Sequence, residues 1–372
     1  MKKTSNFFKI SLIYFISLVL FVGIRIIFGL GFLSNASDKV VDIVSTILIQ
    51  VGVMFLVPLG FYFLFFKQKP KETFQNLGFK KISSKAVLIS FLIGIIAFFL
   101  NIVVSSIFNG FIQAMGYESS AGGGTTDYSL INFFINIFCV AILPAFCEEF
   151  LHRGILMRGS FKSISVKMAL IISSVCFGLM HLNIVQVFYA SILGLLIGFV
   201  SIVGKSIWPA IIIHFTNNFI NVYLSFASHN NWAFGGFYEG INAFLNNNFI
   251  FALLVVIVVI ALLIFLLIKL ILNLLKITSF ESFKNVILNI KSSLNKDVVN
   301  YDTKKEVTEE DYINEIEPIL IENVKPAHSL SELFFDDHYE KEKLQFKDKI
   351  FLISTIFLGV FITISTLIWG LL

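Results

Sequence analysis

Nine apolar runs, at about residues 10–33, 43–66, 86–109, 130–150, 168–182, 185–203, 207–228, 248–270 and 350–371, dominate the sequence and decide its fold class. About 20 apolar residues, roughly 17–25, cross the hydrocarbon core as one α-helix. In lipid, backbone N–H and C=O groups must be satisfied inside the protein, which leaves helices or closed barrels. The expected fold is therefore all-α: a polytopic helical membrane protein of about nine transmembrane helices with an eight-span core. Charged residues make up only 14% of the 372 and hydrophobic ones 57%, a balance foreign to soluble domains. The net charge of +4 is too small to suggest a nucleic-acid partner, so the lipid bilayer is the expected surroundings.

Lysine and arginine set the expected topology, because cytoplasmic loops carry an excess of both. Lys67, Lys69, Lys71, Lys80, Lys81 and Lys85 crowd the connection after the second run. Arg153, Arg158, Lys162 and Lys167 follow the fourth, Lys205 the sixth, and Lys269 and Lys276 the eighth. The loops 110–129 and 224–247 have neither residue type. This alternation predicts a cytoplasmic N-terminus, nine crossings and an external C-terminus. Phe74-Gln75-Asn76-Leu77-Gly78-Phe79 reads as an amphipathic return to the membrane on the cytoplasmic side. High Phe, Ile, Asn and Lys content is that of a low-GC bacterium, so the expected location is a bacterial cell membrane. Lys2, Lys3 and Lys9 precede a first run longer than a signal-peptide core, which favours a retained first helix.

Three divisions follow: a helical membrane domain at 1–275, a polar cytoplasmic insert at 276–348, and an additional C-terminal transmembrane helix at 349–372. The insert has mixed charge, including Glu309-Glu310-Asp311, and a weak apolar pattern at Leu330–Phe335. It is expected to be solvated, partly disordered and open to a cytoplasmic partner. His328 and His338 within it show no metal spacing, and Gly122-Gly123-Gly124 in the loop 110–129 sits in no phosphate-binding pattern.

The chemistry gathers around Glu148-Glu149-Phe150-Leu151-His152-Arg153. Ionisable side chains at membrane depth are costly, and so mark a functional site. Glu149 and Arg153 stand at i,i+4, where carboxylate and guanidinium can pair. Glu148 points about 100° away, as ~3.6 residues per turn require, and shares its face with His152. One carboxylate can be held while its neighbour stays free. His181 closes Phe177-Gly178-Leu179-Met180-His181, and His214 opens His214-Phe215-Thr216-Asn217-Asn218. A single such His is more often an interhelical hydrogen bonder than a catalyst. Asn217 and Asn221 read as packing residues, and Phe177 as a ring beside His181. Of the cysteines, Cys139, Cys147 and Cys176, none has an activating partner in its pattern.

Together these groups suit hydrolysis. A carboxylate can serve as general base on water, a His can pass the proton to the leaving amine, and a His–Asn pair can donate to an oxyanion. Glu148, His181 and His214 are also a ligand set that could hold Zn²⁺, although no His-Glu-x-x-His pattern is present. A proton-coupled transporter would use the same buried Glu and His, but the chain halves show no repeat. One spatial difficulty stands. Unbroken spans would leave the Glu pair and His181 well apart, unless Pro144 kinks the fourth run or the short fifth and sixth are re-entrant.

Glu148-Glu149-x-x-x-Arg153, Phe177-x-x-x-His181 and His214-x-x-x-Asn218 resemble the three ordered motifs of the CAAX prenyl protease and bacteriocin-processing (CPBP, or Abi) family, over about residues 130–222. The resemblance implies an all-helical intramembrane endopeptidase, open to the cytoplasmic side, acting on a membrane-anchored protein or peptide. It implies Glu148 as base, His181 as its partner, His214 and Asn218 as the oxyanion hole, and Glu149 and Arg153 as support. No cofactor is required on this reading, and Zn²⁺ is the metal alternative. A non-proteolytic scaffold or bacteriocin-immunity protein of the same fold is the other reading.

Overall fold

In the computed structural model, which describes residues 5–117, 127–247, 249–298 and 342–371, each of the nine apolar runs is helical, and no strand occurs among the described residues. We number the helices α1 (Asn6–Gly29), α2 (Asp38–Phe66), α3 (Pro70–Asn76), α4 (Ser84–Ala114), α5 (Leu130–Arg158), α6 (Val166–Leu179), α7 (Ile184–Val203), α8 (Trp208–Asn230), α9 (Phe237–Asn247), α10 (Phe249–Val298) and α11 (Phe346–Leu371). Ser or Asn starts several of them. The side chains of Ser5, Ser83, Ser129, Ser165 and Asn183 accept from backbone N–H groups of the first turn that would otherwise lack partners.

The span count differs from the expected nine. Among the described residues, seven helices are long and apolar enough to cross a membrane: α1, α2, α4, α5, α7, α10 and α11. α6 has only 14 residues, about 21 Å at ~1.5 Å per residue. α8 has the length, at 23 residues, but His214, Thr216, Asn217, Asn218 and Asn221 dilute its apolar character. Both shortfalls come from the motifs themselves. Polar chemistry at depth removes apolar residues, and a short α6 brings His181 to the site.

That shortness also removes the expected separation between the Glu pair and His181. α6 ends at Leu179, and the chain turns through Leu182, whose φ of 54° is left-handed and strained for a branched residue. α7 then runs back alongside. The two helices approach so closely at Gly178 that an added Cβ would lie 2.6 Å from the Val187 carbonyl oxygen.

Two apolar clusters surround the site. One joins α1, α2 and α5, with Phe7, Tyr14, Val53, Phe150 and Leu151 at its centre. The other joins α4, α7, α8 and α10 through Ile93, Ile197, Ile213 and Leu274. The predicted amphipathic return takes the form of α3 and the segment after it. Leu77 is fully buried, and the Gly78 carbonyl accepts from Ile207 N at 2.8 Å. α11 lies along α1 and touches α6 and α7, with Ser5 Oγ donating to Asp348 Oδ1 at 2.8 Å. α10 runs on without a break to Val298, through the first part of the expected insert. Gly122–Gly124 and the polar features at 309–338 lie outside the described residues.

Candidate active site

α5 is not a regular α-helix. It passes into π geometry at Ile137–Ile142 and again at Phe150–Arg158, and α2 does so at Leu48–Leu56. Such segments are frequent at functional sites. Pro144 supplies one local cause. It has no N–H for the carbonyl four residues earlier, that of Val140, and its ring crowds that carbonyl. The Val140 oxygen instead accepts from Asn218 Nδ2 of α8 at 3.0 Å.

The two carboxylates have separate surroundings. Glu149 is fully buried, and its Oε1 accepts from Arg153 Nη1 at 3.1 Å and from His214 Nδ1 at 2.8 Å. Arg153, also fully buried, donates through Nη2 to the Gly194 carbonyl at 2.9 Å, and its guanidinium lies 4.5 Å from the Phe177 ring centre. The expected i,i+4 pair therefore exists and holds His214 as well. Glu148 is half-buried on the wall of a cavity of about 920 Å³. Gln50 Nε2 of α2 donates to its Oε1 at 2.8 Å. His152, which shares its face, is enclosed: Nδ1 meets the Glu148 carbonyl at 2.7 Å and Nε2 the Tyr14 hydroxyl at 2.9 Å.

His181 and His214 line the same cavity, with Asn218. Their partners fix their tautomers. His181 Nδ1 lies 3.0 Å from the Phe177 carbonyl, and His214 Nδ1 lies 2.8 Å from a Glu149 oxygen. Both partners are acceptors, so each Nδ1 carries hydrogen, and each neutral ring has a lone pair at Nε2. This alters the oxyanion expectation. His214 can donate from Nε2 only when the ring holds two protons. Asn218 needs no such change: one amide hydrogen goes to Val140, its oxygen accepts from Asn217 Nδ2 at 3.1 Å, and its second N–H is left over. Phe177 is more than a neighbour of His181. Its ring packs edge-on against His152, His181 and His214, with centroids 5.1, 5.2 and 5.7 Å away.

The cavity opens away from the lysine-rich end of the bundle. α4 lines it through Phe98–Asn109, the half remote from Lys85, while α2 through Thr46–Met54 and α8 through His214–Asn221 line it from near their middles. The expectations of a cytoplasmic lysine-rich face and a site open to the cytoplasm therefore conflict. A second cavity, between α1, α2 and α5, continues from the first and shares Arg25, Thr46, Ile49, Cys139 and Val140 with it.

Glu148, His181 and His214 share one cavity, but among the described residues no three His, Cys, Asp or Glu side chains come together as a metal-holding group. Cys147 packs in the core beside Phe150 and Leu151, remote from any nucleophile's role, and only Cys139 of the three cysteines lines the cavity.

Residues 130–220 match the family model described as type II CAAX prenyl endopeptidase Rce1-like. The segment is Rce1-like. This agrees with the CPBP resemblance of its three motifs, and the long apolar helices among the described residues are those of a multi-pass membrane protein. No curated protein and no solved structure matches it. The Rce1-like segment, from α5 into α8, contains Glu148, Glu149, Arg153, His181, His214 and Asn218. Gln50, Tyr14 and the α4 wall come from outside it, and motif spacing had singled out none of them. The one signal for Gln50 is that an amide in an apolar run must find a partner.

Proposed function

We propose that this chain is an intramembrane endopeptidase that hydrolyses a peptide bond of a membrane-anchored protein or peptide. One observation carries the reading. Glu148, oriented by Gln50, shares a cavity with two imidazoles whose Nε2 atoms have no hydrogen-bond partner among the described residues. Glu148 takes a proton from water as the oxygen attacks the carbonyl carbon. The oxyanion receives the second amide hydrogen of Asn218, joined by His214 when its Nε2 is protonated. His181, steadied through Nδ1, takes that proton from Glu148 at Nε2 and delivers it to the departing amine as the C–N bond breaks, which returns Glu148 to its carboxylate form. Glu149 and Arg153 keep His214 in register without touching the reacting atoms.

The test compares peptides in membranes containing the wild type with those containing Glu148→Gln. Fragments present only with the wild type are expected, and identical fragment sets would overturn the reading. No step here requires metal, so the purified wild type is expected to keep its activity after chelator treatment. Loss restored by one equivalent of Zn²⁺ would replace this mechanism with the metal one.

A further inference from the structure

We infer that the cavity is open to the extracytoplasmic side of the membrane, and that its peptide is presented from that side. The word substrate rests on the endopeptidase reading; the side of access does not.

The lining runs from the middle of the bundle toward one end. α1 contributes Phe21 and Arg25, α4 Phe98–Asn109 and α7 Asn183–Leu193, all toward one end of the bundle, and α2, α5 and α8 contribute the stretches Thr46–Met54, Cys139–Glu148 and His214–Asn221 around their middles. Toward Lys67, Lys85, Lys162 and Lys205 the lining goes no further than Met54 on α2, Phe98 on α4, Glu148 on α5 and His214 on α8. Lysine and arginine accumulate on the cytoplasmic side of membrane proteins, so that end is cytoplasmic.

The cytoplasmic end is also closed. The Phe79 ring, just after α3, packs on Phe146, Phe150 and Trp208 with centroids 5.9, 6.2 and 5.9 Å away. Ser206 Oγ donates to the Lys80 carbonyl at 2.7 Å and ties this plug to the start of α8. A peptide approaching from the cytoplasm would have to cross that aromatic packing. From the other side it meets the amides of Gln50, Asn101, Asn109, Gln186 and Asn221, with Arg25 the one Lys or Arg side chain on the wall. Uncharged donors and acceptors at that density suit the N–H and C=O groups of an extended peptide rather than an anionic headgroup.

Thiol labelling of the full chain in intact cells tests this. In a background with Cys139, Cys147 and Cys176 replaced by Ser, Ser106→Cys and Asn109→Cys sit at the cavity mouth, and Lys162→Cys sits at the opposite end. A membrane-impermeant maleimide is expected to modify the first two in intact cells, and Lys162→Cys only after permeabilisation. A chain retaining native Cys139 alone should label from the same side as Ser106→Cys, without any change to the site. Protection of Cys139 and the mouth positions until permeabilisation, or labelling of Lys162→Cys in intact cells, would overturn the inference. Labelling needs no turnover. A proteolytically silent chain with the expected pattern would defeat the endopeptidase reading alone, and an active chain with the reversed pattern would defeat only the side of access.

Discussion

Glu148 and Glu149 are consecutive on α5 yet belong to two different regions. Around Glu149 the molecule is closed: α5, α7 and α8 meet there, and the carboxylate shares its oxygen between Arg153 and His214 with no exposure to the cavity. Around Glu148 the helices part, and one amide from α2 is its donor. A rotation of about 100° per residue makes both possible on one helix. The difference teaches that charge at membrane depth can be fixed as scaffold or kept available for chemistry. Partner number and solvent access distinguish the two.

The strongest way to break this comparison is Glu148→Gln. The expected result is complete loss of peptidase activity with unchanged melting in detergent, because Gln keeps the shape but cannot serve as base. Turnover by the purified variant would remove Glu148 from the role of base.

In the closed region the effect should fall on stability. Arg153→Ala leaves the buried Glu149 with His214 alone as donor, and breaking a buried pair this way costs about 3–5 kcal/mol. Adding Glu149→Gln should recover much of that loss, since the amide oxygen can still accept from His214. Equal melting of the single and double variants would show that the pair is not the scaffold described here.

Smaller effects sharpen the boundary between the regions. Removing an oxyanion donor lowers turnover by about 10²–10³-fold, and Asn218→Ala should fall in that range without abolishing activity. An undiminished kcat would leave Asn218 with only its structural bond to Val140. Gln50→Leu should act more weakly. A hydrogen bond to a charged group is worth about 1.5–3 kcal/mol, or roughly ten- to hundred-fold, and the loss should appear in kcat rather than KM if Gln50 positions the base. A change confined to KM would make Gln50 part of the peptide-binding wall instead.

Much of this was legible from local pattern. The apolar runs specify helices, because lipid permits few other backbones, and each run is helical in the structure. Helical spacing specifies the Glu149–Arg153 pair, since residues four apart face each other within one element. Three motifs in order pointed to the Rce1-like segment that the family match covers. The span count was less secure. Apolar length alone does not say where α6 stops, and Leu182 in a left-handed conformation carries no recognisable turn residue.

Tertiary structure decided everything that depends on contacts between distant parts of the chain. Gln50 meets Glu148 across 98 positions of sequence, and His214 meets Glu149 across 65. No periodicity encodes such pairs; they exist because α2 and α8 both pack against α5. The tautomers of His181 and His214 follow from which acceptor each Nδ1 happens to face. The direction of the cavity follows from where the helices separate and where α3 and Phe79 fill the gap. Sequence by itself determined the kind of element and the chemistry each could carry, because both are local properties. Packing alone determined which carboxylate is enclosed, which is available and from which end of the bundle it is reached.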